Sequence, residues 1–167
     1  HVFEERYKLM VRRCLDGDSQ FGVVLIKSGS EVGEPAIPYS TGTVAHIVQQ
    51  NQAADGLMFI SVTGRQRFQL ENITQYRPYM AAEVSLLEED AEDPLPAAEM
   101  EALGRAVAKY SRLMIGLRGG WMRDFRTSSD PAALSYFIAG LLQVGLQEKQ
   151  ALLEEPSASK RLAKELD

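Results

Sequence analysis

Between Leu87 and Ala97 the chain changes its hydrophobic period. Before this point, apolar residues come in short β-branched runs or at every second position; after it, they recur every third or fourth. The stretch that separates the two patterns, Glu88–Pro96, holds five acidic residues and two prolines. It reads as a linker or exposed turn with a solvated acidic loop. Strand signals gathered on one side of a single break, and helical signals on the other, restrict the chain to an α+β arrangement with segregated layers. A lobe of residues 1–93 and a lobe of residues 94–167 are expected.

The first lobe opens on a helix. Phe3, Tyr7, Met10 and Cys14 share one face, and acidic Glu4 and Glu5 precede basic Arg12 and Arg13, which suits the helix dipole. Gly17 stands where a left-handed cap would end it. Phe21–Ile26 then reads as a strand and Ser28–Pro38 as a long hairpin loop. Thr43–Val48 is the next strand, and Ala53–Gly56 a turn whose Asp-Gly pair favours a tight hairpin. Leu57–Thr63 follows, broken at Gly64, and Arg65–Tyr76 continues as a strand up to Pro78. Tyr79–Leu87 alternates again. Six or so locally connected short strands imply an antiparallel barrel or folded sheet.

The second lobe is helical throughout. Met100, Leu103, Val107, Tyr110, Met114 and Leu117 form one stripe, stopped by Gly119-Gly120. Asp130-Pro131 is a start signal, with Asp as the cap and Pro in the first turn. Leu134, Phe137, Ile138, Leu141 and Leu142 form a second stripe. Gly145 and Pro156-Ser157 punctuate two shorter helices.

Several of these segments also resemble a known family. His1–Tyr7, Thr41–Ile47, Val62–Phe68 and Tyr79–Val84 are similar, in order, to segments of the Lon protease N-terminal (substrate-recognition) domain. So are Asp130–Ala139, Glu148–Glu154 and Arg161-Leu162. The resemblance covers nearly all of the chain. It implies a PUA-like antiparallel β pseudo-barrel lobe with one helix, followed by an α-helical bundle lobe. It implies recognition of unfolded or tagged polypeptides, without chemistry of its own, either within a full protease or as a free-standing domain. Family members carry a strand and a Pro-Gly turn just before the first helix. Neither stands before His1, so a chain trimmed at its N-terminus and a sheet edge left unpaired are expected.

Binding residues are sought first in Met114–Phe125, where Met114, Leu117, Trp121, Met122 and Phe125 mix with arginines around a diglycine. Methionine and aromatic side chains make adaptable apolar surfaces, and tryptophan and arginine are enriched where binding energy concentrates. The alternative is that Trp121 and Phe125 fold inward and fill a gap. Arg65 and Arg67 offer the planar forks of a carboxylate or phosphate clamp. Their competing role is structural, pairing with acids of their own lobe such as Glu4 or Glu5.

Catalytic constellations are not visible. Cys14 and His46 could be paired on paper, but Cys14 lies on an apolar helix face, where cysteine acts as a small hydrophobe. Ser159 and Lys160 are adjacent on a helix, so their side chains diverge. Nothing is spaced as a metal site, no Gly-x-x-x-x-Gly-Lys-Ser/Thr loop occurs, and no cofactor is expected.

At 45% apolar and 25% charged residues the composition is that of a globular protein, and no apolar run reaches the ~18 residues of a membrane span. The single cysteine excludes an internal disulfide and fits a reducing cytoplasm. The net charge is −5, with −6 on residues 1–94 and +1 on the rest. Neither part carries the basic field of a nonspecific nucleic-acid binder. The expected partners are therefore unfolded or partly folded polypeptides, with self-association as a further capacity and no membrane. The alternative is a PUA-like RNA-binding module, which would need Arg65, Arg67 and Arg77 on one positive face.

Overall fold

The computed structural model describes residues 1–29, 36–52, 57–90, 96–117 and 128–166. Its elements are α1 (Glu5–Leu15), β1 (Gln20–Ser28), β2 (Ile37–Gln52), β3 (Met58–Gln75), β4 (Ala81–Leu87), α2 (Ala97–Leu117), α3 (Pro131–Leu141), α4 (Leu146–Glu154) and α5 (Ala158–Leu166). The architecture is α+β. The chain divides into two compact units, His1–Glu88 and Glu89–Asp167.

In the first unit, α1 precedes an antiparallel meander in the order β1-β2-β3-β4. The described residues form four strands where six short ones were expected, because β2 and β3 are long. Gly64 does not break β3: it pairs with Ala45, Gln66 pairs with Val44, and Arg65 between them is skipped as a bulge. The strand bends there and continues. Pro38, placed in a loop by its sequence, pairs with Ile26 inside β2. The β3–β4 connection contains a cis Arg77–Pro78 peptide.

The end of α1 also differs from expectation. Its cap residue, Asp16, is right-handed, and the left-handed residue is Ser19 (φ 61°) rather than Gly17. The Ser19 amide donates to the Cys14 carbonyl at 2.8 Å, and its own carbonyl accepts from the Ile47 amide at 2.8 Å. The turn is thus tied at both ends, to the helix and to β2. Phe3 lies before the helix and is exposed. Val11, absent from the expected stripe, is the fully buried residue of α1. It packs with Ile47 and Met58, and Met10, Cys14, Leu15, Phe21 and Ile60 surround that cluster. At the other end, the Val2 amide donates to the Met58 carbonyl at 2.8 Å in an isolated antiparallel bridge.

In the second unit, Leu103, Val107, Leu134, Ile138 and Leu162 form the core, supplied by α2, α3 and α5. The start signal of α3 is realised as read: Asp130 Oδ2 accepts from the Ala133 amide at 2.9 Å, with Pro131 in the first turn. Ser157 caps α5, its Oγ accepting from the Lys160 amide at 3.1 Å. Of the acidic stretch, residues 88–90 and Pro96 are described: Glu88 and Asp90 are exposed, and Glu89 is half-buried. The Glu89 carboxylate accepts from Tyr136 and from Arg161, and the Asp90 amide donates to the Pro156 carbonyl.

Candidate functional site

The first unit contains an apolar groove of about 430 Å³. One wall is β1, which contributes four consecutive residues, Phe21, Gly22, Val23 and Val24. Side chains of a strand alternate between faces, so four neighbours lining one space means that β1 presents its edge to it. Among the described residues β1 pairs only with β2, which leaves this edge without a strand partner. Tyr79 and Met80 line the groove from the turn before β4, Tyr7 and Met10 from α1, and His1 and Phe3 from the N-terminal segment.

Local sequence accounts for this placement. Tyr7 and Met10 belong to the apolar face of α1, whose register is fixed by the burial of Val11. Tyr79 is held by Arg13, whose Nη1 donates to the Tyr79 hydroxyl at 2.9 Å. The His1 ring stacks on Phe59 with centroids 5.1 Å apart and leans on Phe3 at 5.8 Å. Phe3 nevertheless remains 65% exposed, and Val23 and Met80 are also exposed. The charges at the rim are engaged nearby: Arg6 Nε lies 2.8 Å from the Glu4 carboxylate. An apolar trough beside a strand edge that is unpaired among the described residues suits apolar side chains carried on an extended backbone.

Of the residues singled out from sequence, Arg65 and Arg67 have described side chains, and neither lines this groove. Met114 and Leu117 stand in the last turn of α2, but their side chains lie outside the described residues. So do Trp121, Met122 and Phe125 in their entirety. Arg65 and Arg67 are described and are not brought together. Arg65 is exposed at the bulge, whereas Arg67 is buried and its Nη2 donates to the Glu88 carbonyl at 3.1 Å. Their expected acidic partners are engaged elsewhere, Glu4 with Arg6 and Glu5 with Lys8 at 2.8 Å.

The groove residues carry a signal in the sequence beyond strand propensity. Phe21–Ile26 is apolar at nearly every position instead of at every second one, which marks a strand with more than one apolar surface.

Two further groups bear on chemistry. Cys14 packs against the Val11 cluster, and burial pushes its thiol above the ordinary range, with Asp18 adding to the effect. It is held as the thiol, the unreactive form. Among the described residues no three His, Cys, Asp or Glu side chains group as metal ligands. None of the described helices is long and apolar enough to cross a membrane.

Residues 1–167 match the family described as the ATP-dependent protease La (LON) substrate-binding domain. A Lon protease of Azospirillum brasilense is 31% identical over 166 residues, covering 96% of this chain and 20% of its own length. A Lon protease of Dictyoglomus thermophilum is 27% identical over 167 residues, covering 98% of this chain and 21% of its own length. The chain therefore spans about a fifth of the length of these relatives. A solved Lon N-terminal domain protein from Xanthomonas campestris superposes with a TM-score of 0.73 at 26% identity, covering 99% of this chain and 85% of that one. The N-terminal domain of Mycobacterium avium complex Lon protease shares the fold, with a TM-score of 0.63 at 20% identity and coverage of 100% and 86%.

Proposed function

The chain belongs to the LON substrate-binding domain family along its whole length, and from that membership we propose that it is a noncatalytic module that recognises unfolded or exposed apolar polypeptide segments. The observation that carries this reading is the groove: it is apolar, shallow enough to leave Phe3 exposed, and bordered by the edge of β1 that has no strand partner among the described residues. An extended segment would add to β1 through main-chain hydrogen bonds, which are indifferent to sequence. Its apolar side chains would enter the groove, which selects for unfolded chains over native surfaces. Met114, Leu117, Trp121, Met122 and Phe125 are further candidate contacts in the same reading, as is the exposed Arg65. Arg67, buried on the Glu88 carbonyl, serves the fold.

Any ATP-driven or peptidase activity would lie outside residues 1–167. A reducing cytoplasmic setting and self-association through a free strand edge fit the same picture. The RNA-binding alternative needs Arg65, Arg67 and Arg77 on one face, and the burial of Arg67 removes one of the three.

The test uses carboxymethylated lactalbumin, an unfolded probe, titrated against the chain and followed by probe anisotropy. Saturable binding is expected, weakened at least tenfold by Val23→Glu in the groove and several-fold by Trp121→Ala. The absence of saturable binding, or equal affinity for the native and the unfolded probe, would overturn the proposal.

A further inference from the structure

Glu165 is the one acidic residue of α5, and it is only 9% exposed. Both of its carboxyl oxygens are buried, and among the described residues no hydrogen-bond donor reaches either. The nearest candidate is Arg161, one turn earlier on the same helix. Its guanidinium is already committed: Nε donates to Ser135 Oγ at 2.7 Å, Nη1 to the Glu155 carbonyl, and Nη2 to Glu89 Oε2 at 2.8 Å. Its flat face lies 4.0 Å from the centroid of the Tyr136 ring. Arg161 therefore acts on Glu165 only as a charge at a distance.

The surrounding elements offer little more. α3 carries one titratable group, Tyr136, whose hydroxyl is spent on Glu89. The charged residues of α2 (Glu99, Glu101, Arg105, Lys109 and Arg112) are exposed, as are Glu148 and Glu154 of α4, while Lys149 of α4 is half-buried. Among the described residues, Arg161 is the one charge that perturbs Glu165. A carboxylate without donors in such a place is strongly disfavoured, whereas the neutral acid is tolerated.

We propose that the turn of α5 carrying Glu165 is a pH-operated latch, closed while the Glu165 carboxyl is protonated and released when it ionises. Burial pushes the Glu165 pKa up to about 7, against the opposing pull of Arg161. In the unfolded chain the same group ionises near 4.5. The sign follows from linkage. The released state gives up its proton first, so the latch is tightest below pH 4.5 and loosens as pH rises toward 7. Above 7 the carboxyl ionises in either state and the loosening levels off. α5 supplies Leu162 to the apolar core of its unit, one turn before Glu165, so loosening the Glu165 turn makes apolar surface available near neutrality and not in acid.

Hydrogen exchange of the α5 amides, corrected for intrinsic rates, reads the latch directly. Between pH 6 and pH 8 the opening equilibrium should rise about tenfold in the native chain, as one linked proton requires. In Glu165→Gln, a mimic of the protonated acid, it should stay flat. An identical pH dependence in both proteins would overturn the proposal. The native chain alone supplies a second reading that needs no variant: side-chain carbon NMR should place the Glu165 midpoint near 7, and a midpoint near 4.5 would overturn it equally.

Discussion

At Gly42 there is room for a hydrogen and little else. A β-carbon there would lie 2.5 Å from Phe68 Cζ, 2.6 Å from the Val23 carbonyl oxygen and 2.6 Å from Val24 Cγ1. Phe68 is buried and cannot swing away. Gly42 pairs with Val24 on one side and Phe68 on the other, so all three share a face of the sheet. Gly42→Ala should therefore destabilise the first unit by about 1–3 kcal/mol, the usual cost of overpacking, measured by urea denaturation. Adding Phe68→Leu should recover only part of the loss, because the clash with the Val23 backbone persists. Full recovery would show that the ring alone sets the constraint. Residues of this kind are half legible in a sequence. A glycine within a β-branched run signals a close approach, but not which ring approaches. The bulge at Arg65 was not legible at all. It depends on the register between β2 and β3, which local pattern does not encode, and it sends Arg65 and Arg67 into different environments although their spacing predicts a shared face.

At the scale of elements, α5 shows where a charge can be read wrongly. Helical arginines ordinarily face water, and nothing around Arg161 marks it as different. In the fold it is fully buried and joins three segments: Ser135 of α3, the Glu155 carbonyl before α5, and Glu89 at the start of the unit. Removing it would leave a buried hydroxyl and a carbonyl short of a donor, and would take one donor from Glu89, which Tyr136 continues to hold. Arg161→Ala should cost about 3 kcal/mol, at the low end for breaking a buried pair because Glu89 is partly solvated. Glu89→Gln should cost at least as much, since it keeps an acceptor but leaves the fully buried Arg161 guanidinium without its carboxylate. Thermal or urea unfolding of both variants checks the order, and a clearly smaller loss for Glu89→Gln would refute the account. By contrast, the starts of α3 and α5 were legible, because Asp130-Pro131 and Pro156-Ser157 act within one turn of chain. Their caps form as that chemistry requires.

At the scale of the whole molecule, each unit has its own apolar cluster, Val11–Ile47–Met58 in the first and Leu103–Val107–Leu134–Ile138–Leu162 in the second. The residues at the division are also fastened within their own units. Glu88 accepts from Arg67 and Gln66, and Glu89 accepts from Arg161 and Tyr136. We take the two units to be separate domains, which makes a prediction about fragments. Residues 89–167 expressed alone should be helical by circular dichroism and unfold cooperatively. A piece of this length buries a small core and will be only marginally stable. Its stability should respond to Arg161→Ala by the same amount as the intact chain, because every partner of that side chain lies within the fragment. Residues 1–88 alone should give a sheet-rich spectrum and the same sensitivity to Gly42→Ala as the intact chain. A fragment that is unfolded, or a substitution whose effect appears only in the intact protein, would mean that the two units fold as one and that their division is merely geometric.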